Sequence, residues 1–207
     1  MLRSRITWSL LAVLIVVLIG ELAYFEWQRS QPKESIYDPI IVAVAREDDV
    51  DPFLVRALIW RESHFEPTTY GLAQEHGLMQ VRPEVGEEWA KAMNIPDFKP
   101  DQLFDPATNI RAGTWYLSHA IHHWDDTDDP LPFALAEYNA GRSNALKWVD
   151  PANPRDPNAF VQRITFPTTR KYVEVILEKR AQYRVTLAHD RWYREFEASP
   201  PSSTLGP

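Results

Sequence analysis

The sequence predicts a mainly α-helical domain, and three observations predict it. Asp-Pro pairs at Asp38-Pro39, Asp51-Pro52 and Asp105-Pro106 each stand at the head of a segment with helical apolar spacing. Within these segments apolar residues recur every three to four positions, as in Ile110, Leu117, Ile121 and Trp124. Alternation with a period of two never persists beyond a few residues, which leaves little material for a half-buried sheet.

The elements can be justified in chain order. Residues 1–27 combine a charged start, MLRSR, with the apolar run ITWSLLAVLIVVLIG, the pattern of a signal peptide or signal anchor. A span needs about 20 apolar residues, and Ile6 to Phe25 supplies that length if Glu21 is included. A small-x-small cleavage site is not evident after the run, which favours a retained anchor. Arg3 and Arg5 would then stay cytoplasmic, Tyr24 and Trp27 would sit at the far interface, and the rest would face outward. Residues 28–35 read as a tether, 36–194 as the folded domain, and 195–207, rich in Pro and Ser, as a disordered tail.

Inside the domain, aspartate side chains accept from free amides of a first helical turn. Proline fits the first position because its missing N–H is not needed there. Pro83, Pro132 and Pro167 are expected to open helices in the same way. Val173, Ile176, Leu177 and Arg180 run at helical spacing through the last strong helix.

The chain of 207 residues carries 29 acidic and 22 basic side chains, a formal net charge of -7, which argues against nucleic acid as the main partner. It has no cysteine, so disulfides, thiolate metal sites and cysteine nucleophiles are excluded.

One residue breaks the helical pattern. In ALIWRESHFEP, residues 57–67, Val55, Leu58 and Ile59 set an apolar stripe, and Glu62 falls on it four residues after Leu58. Pro67 disfavours helical geometry at Glu66, so Glu62 is expected in the last turn. Two readings stand on periodicity alone. The carboxylate is either neutralised by an arginine or snorkels to water, or it is a general acid that keeps its proton by desolvation. An unperturbed glutamate is protonated about 0.2% of the time at pH 7, whereas a pKa of about 6 gives about 9%.

Other segments decide between them. RESHFEP, GLMQVRP (77–83), LFDPATNIRAGTWYL (103–117) and ALAEYNAGRSNALKW (134–148), in this order, resemble the lytic transglycosylase domain of bacterial cell-wall enzymes, relatives of goose-type lysozyme. A weaker match continues through FVQRITFPTTRKYVEVIL (160–177). The resemblance implies a lysozyme-like helical domain of the SLT type. It implies cleavage of the β-1,4 bond between N-acetylmuramic acid and N-acetylglucosamine in peptidoglycan glycan strands, with no cofactor. Glu62 matches the catalytic glutamate and Ser63 the serine that helps orient it. Gly77, Leu78, Met79 and Gln80 match the segment lining the cleft, with Gln80 a sugar contact. Tyr138 and Asn139 match the tyrosine whose hydroxyl lies near the carboxyl and the asparagine that helps hold the sugar.

A glycosidase with two carboxylates needs an acid plus a nucleophile or base. The resemblance supplies one, and implies that the muramic acid's own C6 hydroxyl attacks the anomeric carbon. Glu62 would act as acid and then as base, and the product is a 1,6-anhydro sugar.

Several residues keep a plainer alternative. Met79 reads alone as core filler, Tyr138 as a buried core tyrosine, and Asn139-Ala140-Gly141 as a helix end. Trp89, Trp115 and Trp148 read as sugar platforms or as core. The loop TTYGLAQEHGLMQ departs from the small residues usual in the family. Gln74, Glu75 and His76 are expected to crowd the approach, and Glu75 is either a solvated loop charge or a second carboxylate able to activate water. His119, His122 and His123 share a helix face, but no further ligand has convincing spacing, so no metal site is assigned. A hydrolytic muramidase and a non-catalytic peptidoglycan-binding module of an envelope-spanning assembly stand as the alternatives. The expected address is the bacterial inner membrane, with the domain in the periplasm.

Overall fold

The computed structural model describes residues 16–21 and 33–198 of the 207. The chain divides into two units, residues 1–36 and 37–207. In the first, residues 16–21 are helical, and a 3-10 turn begins at Lys33. Among the described residues no helix is long and apolar enough to cross a membrane. The expected anchor over residues 1–27 lies outside the described residues except for 16–21.

The second unit holds nine helices among its described residues: α1 (Asp38–Glu47), α2 (Pro52–Ser63), α3 (Pro83–Ala92), α4 (Pro106–His122), α5 (Leu131–Ala140), α6 (Arg142–Trp148), α7 (Pro157–Arg163), α8 (Pro167–Leu187) and α9 (Arg191–Ala198). A 3-10 helix, Pro100–Phe104, precedes α4. Only isolated bridges, Tyr70 to His76 and His76 to Val81, represent β structure there.

The Asp-Pro pairs work as expected at two of three places. Asp51 Oδ1 accepts from Phe53 N at 2.9 Å, and Asp105 Oδ2 from Thr108 N at 2.9 Å. Such a cap is worth about 1 kcal/mol. Asp38 differs: it is buried inside the first turn of α1 and forms an ion pair with Arg56 of α2. A buried guanidinium requires that partner more than the helix requires a cap. Asp156, which the sequence reading passed over, caps α7 through Asn158 N at 2.8 Å.

Helix α2 is the centre of the domain. Phe53, Leu54, Val55, Ala57, Leu58 and Ile59 are all fully buried, so its apolar surface is much wider than a single stripe. It packs chiefly against α8, which also covers α5, while α4 lies against α5. Arg180 of α8 donates to Asp51 Oδ2 at 2.6 Å and ties the long helix to the start of α2.

The expected tail boundary at residue 194 falls inside α9, and residues 195–198 are helical. The cause is aromatic packing. Trp192 and Tyr193 lie 5.5 and 4.4 Å from the Phe53 ring, and Arg46 sits over Phe196 at 5.5 Å.

Candidate active site

Helix α2 ends abruptly, and that ending presents Glu62. His64 and Phe65 both adopt left-handed backbone conformations, φ 51° and 62°. Such geometry costs on the order of 1 kcal/mol or more for a non-glycine residue. Phe65 offsets it by burial, stacking on Tyr37 with Arg56 over its face. The chain therefore turns away directly after Glu62, which is left partly buried at the wall of a cleft of about 740 Å³.

Beside the end of α2 runs the GLMQ segment, pinned from beneath by Asn109 of α4. Asn109 is fully buried; its Nδ2 donates to His76 O and Leu103 O at 2.7 Å each, and its Oδ1 accepts from Met79 N at 2.7 Å. Gly77 makes this possible: its φ is +74°, and a Cβ there would stand 2.5 Å from both Asn109 Nδ2 and Leu103 O. Leu78 and Met79 are fully buried, and neither they nor Gly77 lines the cleft. The peg that fixes the segment draws Leu78 and Met79 into the core, where they support the segment from beneath. Gln80 alone of the four reaches the cleft, its Nε2 donating to Gly77 O at 2.9 Å and Thr69 O at 3.1 Å.

Ser63 does not touch the Glu62 carboxyl through a hydrogen bond of its own. Its Oγ donates toward Leu78 O at 2.8 Å, with Ile59 O at 3.2 Å, and so joins the end of α2 to the GLMQ segment. Tyr138 donates to Met79 O at 2.9 Å, fixing the same segment from α5. The hydroxyl that does meet the carboxyl belongs to Tyr172 of α8, 2.5 Å from Glu62 Oε1. Tyr172 is buried, with the Arg61 guanidinium 5.4 Å from its ring centre. The sequence reading missed it. Its signals are its place inside the weaker match 160–177 and four residues before Ile176, on the buried face of the last strong helix.

Burial dominates the acidity of Glu62 and lifts it from an ordinary 4.5 to about 7. The Tyr172 hydrogen bond and Arg61 oppose that rise, and Glu75 adds to it. Burial, and then the Glu62 charge, push the Tyr138 and Tyr172 hydroxyls well above their usual range, so both remain neutral donors. A carboxyl near 7 is about half protonated at neutral pH and can both release and recover a proton.

Asn139 lines the cleft and is oriented by Thr169, whose hydroxyl donates to Asn139 Oδ1 at 2.8 Å. Glu75 also lines it, which places this loop carboxylate in the cleft. His76 does not crowd the approach: it is buried, between the Tyr70 and Phe104 rings at 5.2 and 4.6 Å. Trp89 and Trp148 are core residues, and Trp115 stacks on His119 at 4.1 Å; none lines the cleft.

The three histidines of α4 and its cap each turn to a separate acceptor: His119 Nδ1 to Trp115 O, His122 Nδ1 to Ser118 O, and His123 Nδ1 to Glu137 Oε1. Among the described residues no group of three metal-ligating side chains stands together.

Comparison with known proteins adds a family. The model of the "Transglycosylase SLT domain" family matches residues 39–161. The chain is 31% identical over 169 residues to a soluble lytic murein transglycosylase of Salmonella typhimurium, covering 77% of this chain and 26% of that protein. It is 36% identical over 117 residues to membrane-bound lytic murein transglycosylase F of Desulfosudis oleivorans, covering 55% and 24% respectively. The crystal structure of the 70-kDa soluble lytic transglycosylase from Escherichia coli superposes with a TM-score of 0.65 at 29% identity, over 76% of this chain and 25% of that one. The chain thus spans about a quarter of the length of these relatives.

Proposed function

The chain belongs to the transglycosylase SLT domain family, and on that premise we propose that it cleaves the glycan strands of peptidoglycan as a lytic transglycosylase. The bond broken is the β-1,4 link from N-acetylmuramic acid to N-acetylglucosamine, and the product end is 1,6-anhydro-N-acetylmuramic acid. One observation carries the reading: Glu62, held near pKa 7 by burial, faces a cleft together with Gln80 and Asn139 and accepts the Tyr172 hydroxyl.

In this reading Glu62 protonates the leaving oxygen as the glycosidic bond lengthens. The resulting carboxylate then removes the proton from the muramic acid C6 hydroxyl, whose oxygen closes on the anomeric carbon. The proton balance is zero and no water is consumed. The attacking oxygen belongs to the substrate, so its effective concentration needs no second protein group. Tyr172 supports the carboxylate phase by donating to it, and burial supports the acid phase. Ser63 and Tyr138 act by fixing the GLMQ segment beside Glu62, with Gly77, Leu78 and Met79 as its base. Gln80 and Asn139 present amide groups suited to sugar hydroxyls and N-acetyl groups.

We place the enzyme at the outer face of the bacterial inner membrane, anchored by the apolar run in residues 1–27 with the domain in the periplasm. A relative named as membrane-bound supports that assignment. An envelope-spanning assembly is the partner that a local wall-cutting enzyme would serve.

Incubating the protein with purified peptidoglycan and weighing the released muropeptides tests the activity. Sugar ends lighter by one water are expected. A well-folded protein that binds peptidoglycan but releases nothing would make it a binding module instead.

A further inference from the structure

Glu75 is the feature of the cleft that the proton cycle above does not use. Three carboxyls line one cavity, and their settings differ: Glu84 stands exposed 3.8 Å from the Arg82 guanidinium, which leaves Glu62 and Glu75 to compare. Glu62 stands at the end of the buried helix α2, with Tyr172 on its oxygen. Glu75 stands on the loop 71–75, beside the exposed residues Leu72, Ala73 and Gln74. A desolvated acid and a second carboxylate in one cleft can divide the roles of acid and base.

The position of Glu75 is built in. Its Oε2 accepts from Ala73 N at 2.9 Å, and Gly71 N donates to its carbonyl oxygen at 2.8 Å. Gly71 makes room for the carboxylate: a Cβ there would overlap Glu75 Oε2 and lie 2.7 Å from Gln80 Oε1. One carboxylate oxygen is thus tied to the loop's backbone beside Gln80, and the other is left for a different donor. The charge of Glu75 also adds to the proton affinity of Glu62, less than burial, Tyr172 or Arg61 change it.

We propose that Glu75 is a second catalytic carboxylate, a general base that draws a proton from water and gives the enzyme a hydrolytic branch beside its anhydro-forming one. This rests on the cleavage activity proposed above. In that branch Glu62 gives its proton to the leaving oxygen as the bond from that oxygen to the anomeric carbon breaks. A water oxygen bonds to the anomeric carbon, and its proton passes to Glu75. Exchange with solvent returns Glu75 to the carboxylate and Glu62 to the acid. One water is consumed, and the end formed is a reducing sugar.

The test is digestion of peptidoglycan in 18O-water by the full chain, with mass spectrometry separating anhydro ends from 18O-labelled reducing ends. Wild type is expected to release both. Glu75→Gln keeps an acceptor for Ala73 N but removes the base, and should lower the ratio of labelled to anhydro ends at least tenfold, since general bases contribute about 10²–10⁴. Gly71→Ala, which displaces the Glu75 carboxylate without altering it, should lower the ratio in the same direction; Glu75→Asp should restore part of it. Wild type that releases anhydro ends alone overturns the assignment of Glu75 and leaves the transglycosylase reading intact, as does a ratio that Glu75→Gln does not change. Wild type that releases no ends at all overturns both.

Discussion

Two glutamates in this domain occupy closely similar places. Glu62 lies in the last turn of α2 and Glu137 in the last turn of α5, and both helices are otherwise apolar and deeply packed. Glu137 is 2% exposed and fully provided for: Trp124 Nε1 donates to it at 2.8 Å, Arg142 at 3.1 Å, and His123 Nδ1 lies 2.7 Å away. Glu62 has one short hydrogen bond, from Tyr172, and an open cleft. The difference teaches that burial alone does not make a reactive acid. A buried carboxylate surrounded by donors and cations has its oxygens occupied and serves packing. One with a single neutral donor keeps its proton and has a face left for substrate.

The largest effect that sharpens this contrast is on activity. Glu62→Gln keeps the volume and an acceptor for Tyr172 but cannot transfer a proton, so release of anhydro-muropeptides should fall by roughly 10²–10⁴. The residual rate is read from a timed peptidoglycan digest. Glu137→Gln leaves the acid in place and should stay within about tenfold of wild type once its fraction folded is taken into account.

Stability should respond in the opposite sense. Glu62 has a folded-state pKa of about 7 against an ordinary 4.5. Between these values the folded chain holds a proton that the unfolded chain has released, so stability falls as pH rises through that window. The full shift corresponds to at most about 3 kcal/mol. Glu62→Gln abolishes the penalty: its melting temperature should exceed that of wild type at pH 8, and the gap should close by pH 4. Equal gaps at both values would mean that the carboxyl carries no raised proton affinity.

Glu137→Ala should cost about 2–3 kcal/mol near neutral pH, because it leaves the buried Trp124 N–H unpaired and opens a cavity. Urea unfolding of the two variants side by side reads the comparison directly, since only Glu137→Ala lowers the midpoint.

How far these roles are legible in the sequence depends on how local their physics is. Helix starts were readable because an aspartate and the amides it caps lie within three residues, as at Asp51 and Asp105. Asp38 shows the limit, since its partner Arg56 lies on another helix. Glu62 betrayed itself by breaking an apolar stripe, and Gln80 and Asn139 reached the cleft on the strength of their motifs. Gly77, Leu78 and Met79 belong to the same motif, but the motif does not tell that Leu78 and Met79 turn inward, because that is decided by Asn109, about thirty residues later. Glu137 sits inside the quoted motif ALAEYNAG, yet its donors Trp124 and His123 come from the end of α4 and the turn after it. Nothing in the local pattern distinguishes a helix glutamate with three donors from one with a single donor.

Tyr172 is the extreme case, 110 residues from the carboxyl it serves, and it supports the smallest but most discriminating prediction. Tyr172→Phe keeps the ring beneath Arg61 and removes only the hydroxyl. Its hydrogen bond lowers the proton affinity of Glu62, so its loss should raise that pKa further above 7. The acid form would then persist to higher pH, and the alkaline limb of the pH–rate profile should move upward. The carboxylate form would be less well supported when it must accept the C6 hydroxyl proton, so the rate at the optimum should drop about tenfold, the worth of one hydrogen bond to a charged group. A slower enzyme with an unmoved alkaline limb would mean that Tyr172 only packs α8 against α2. A limb moved upward would separate the tyrosine's hold on the proton from its hold on the fold.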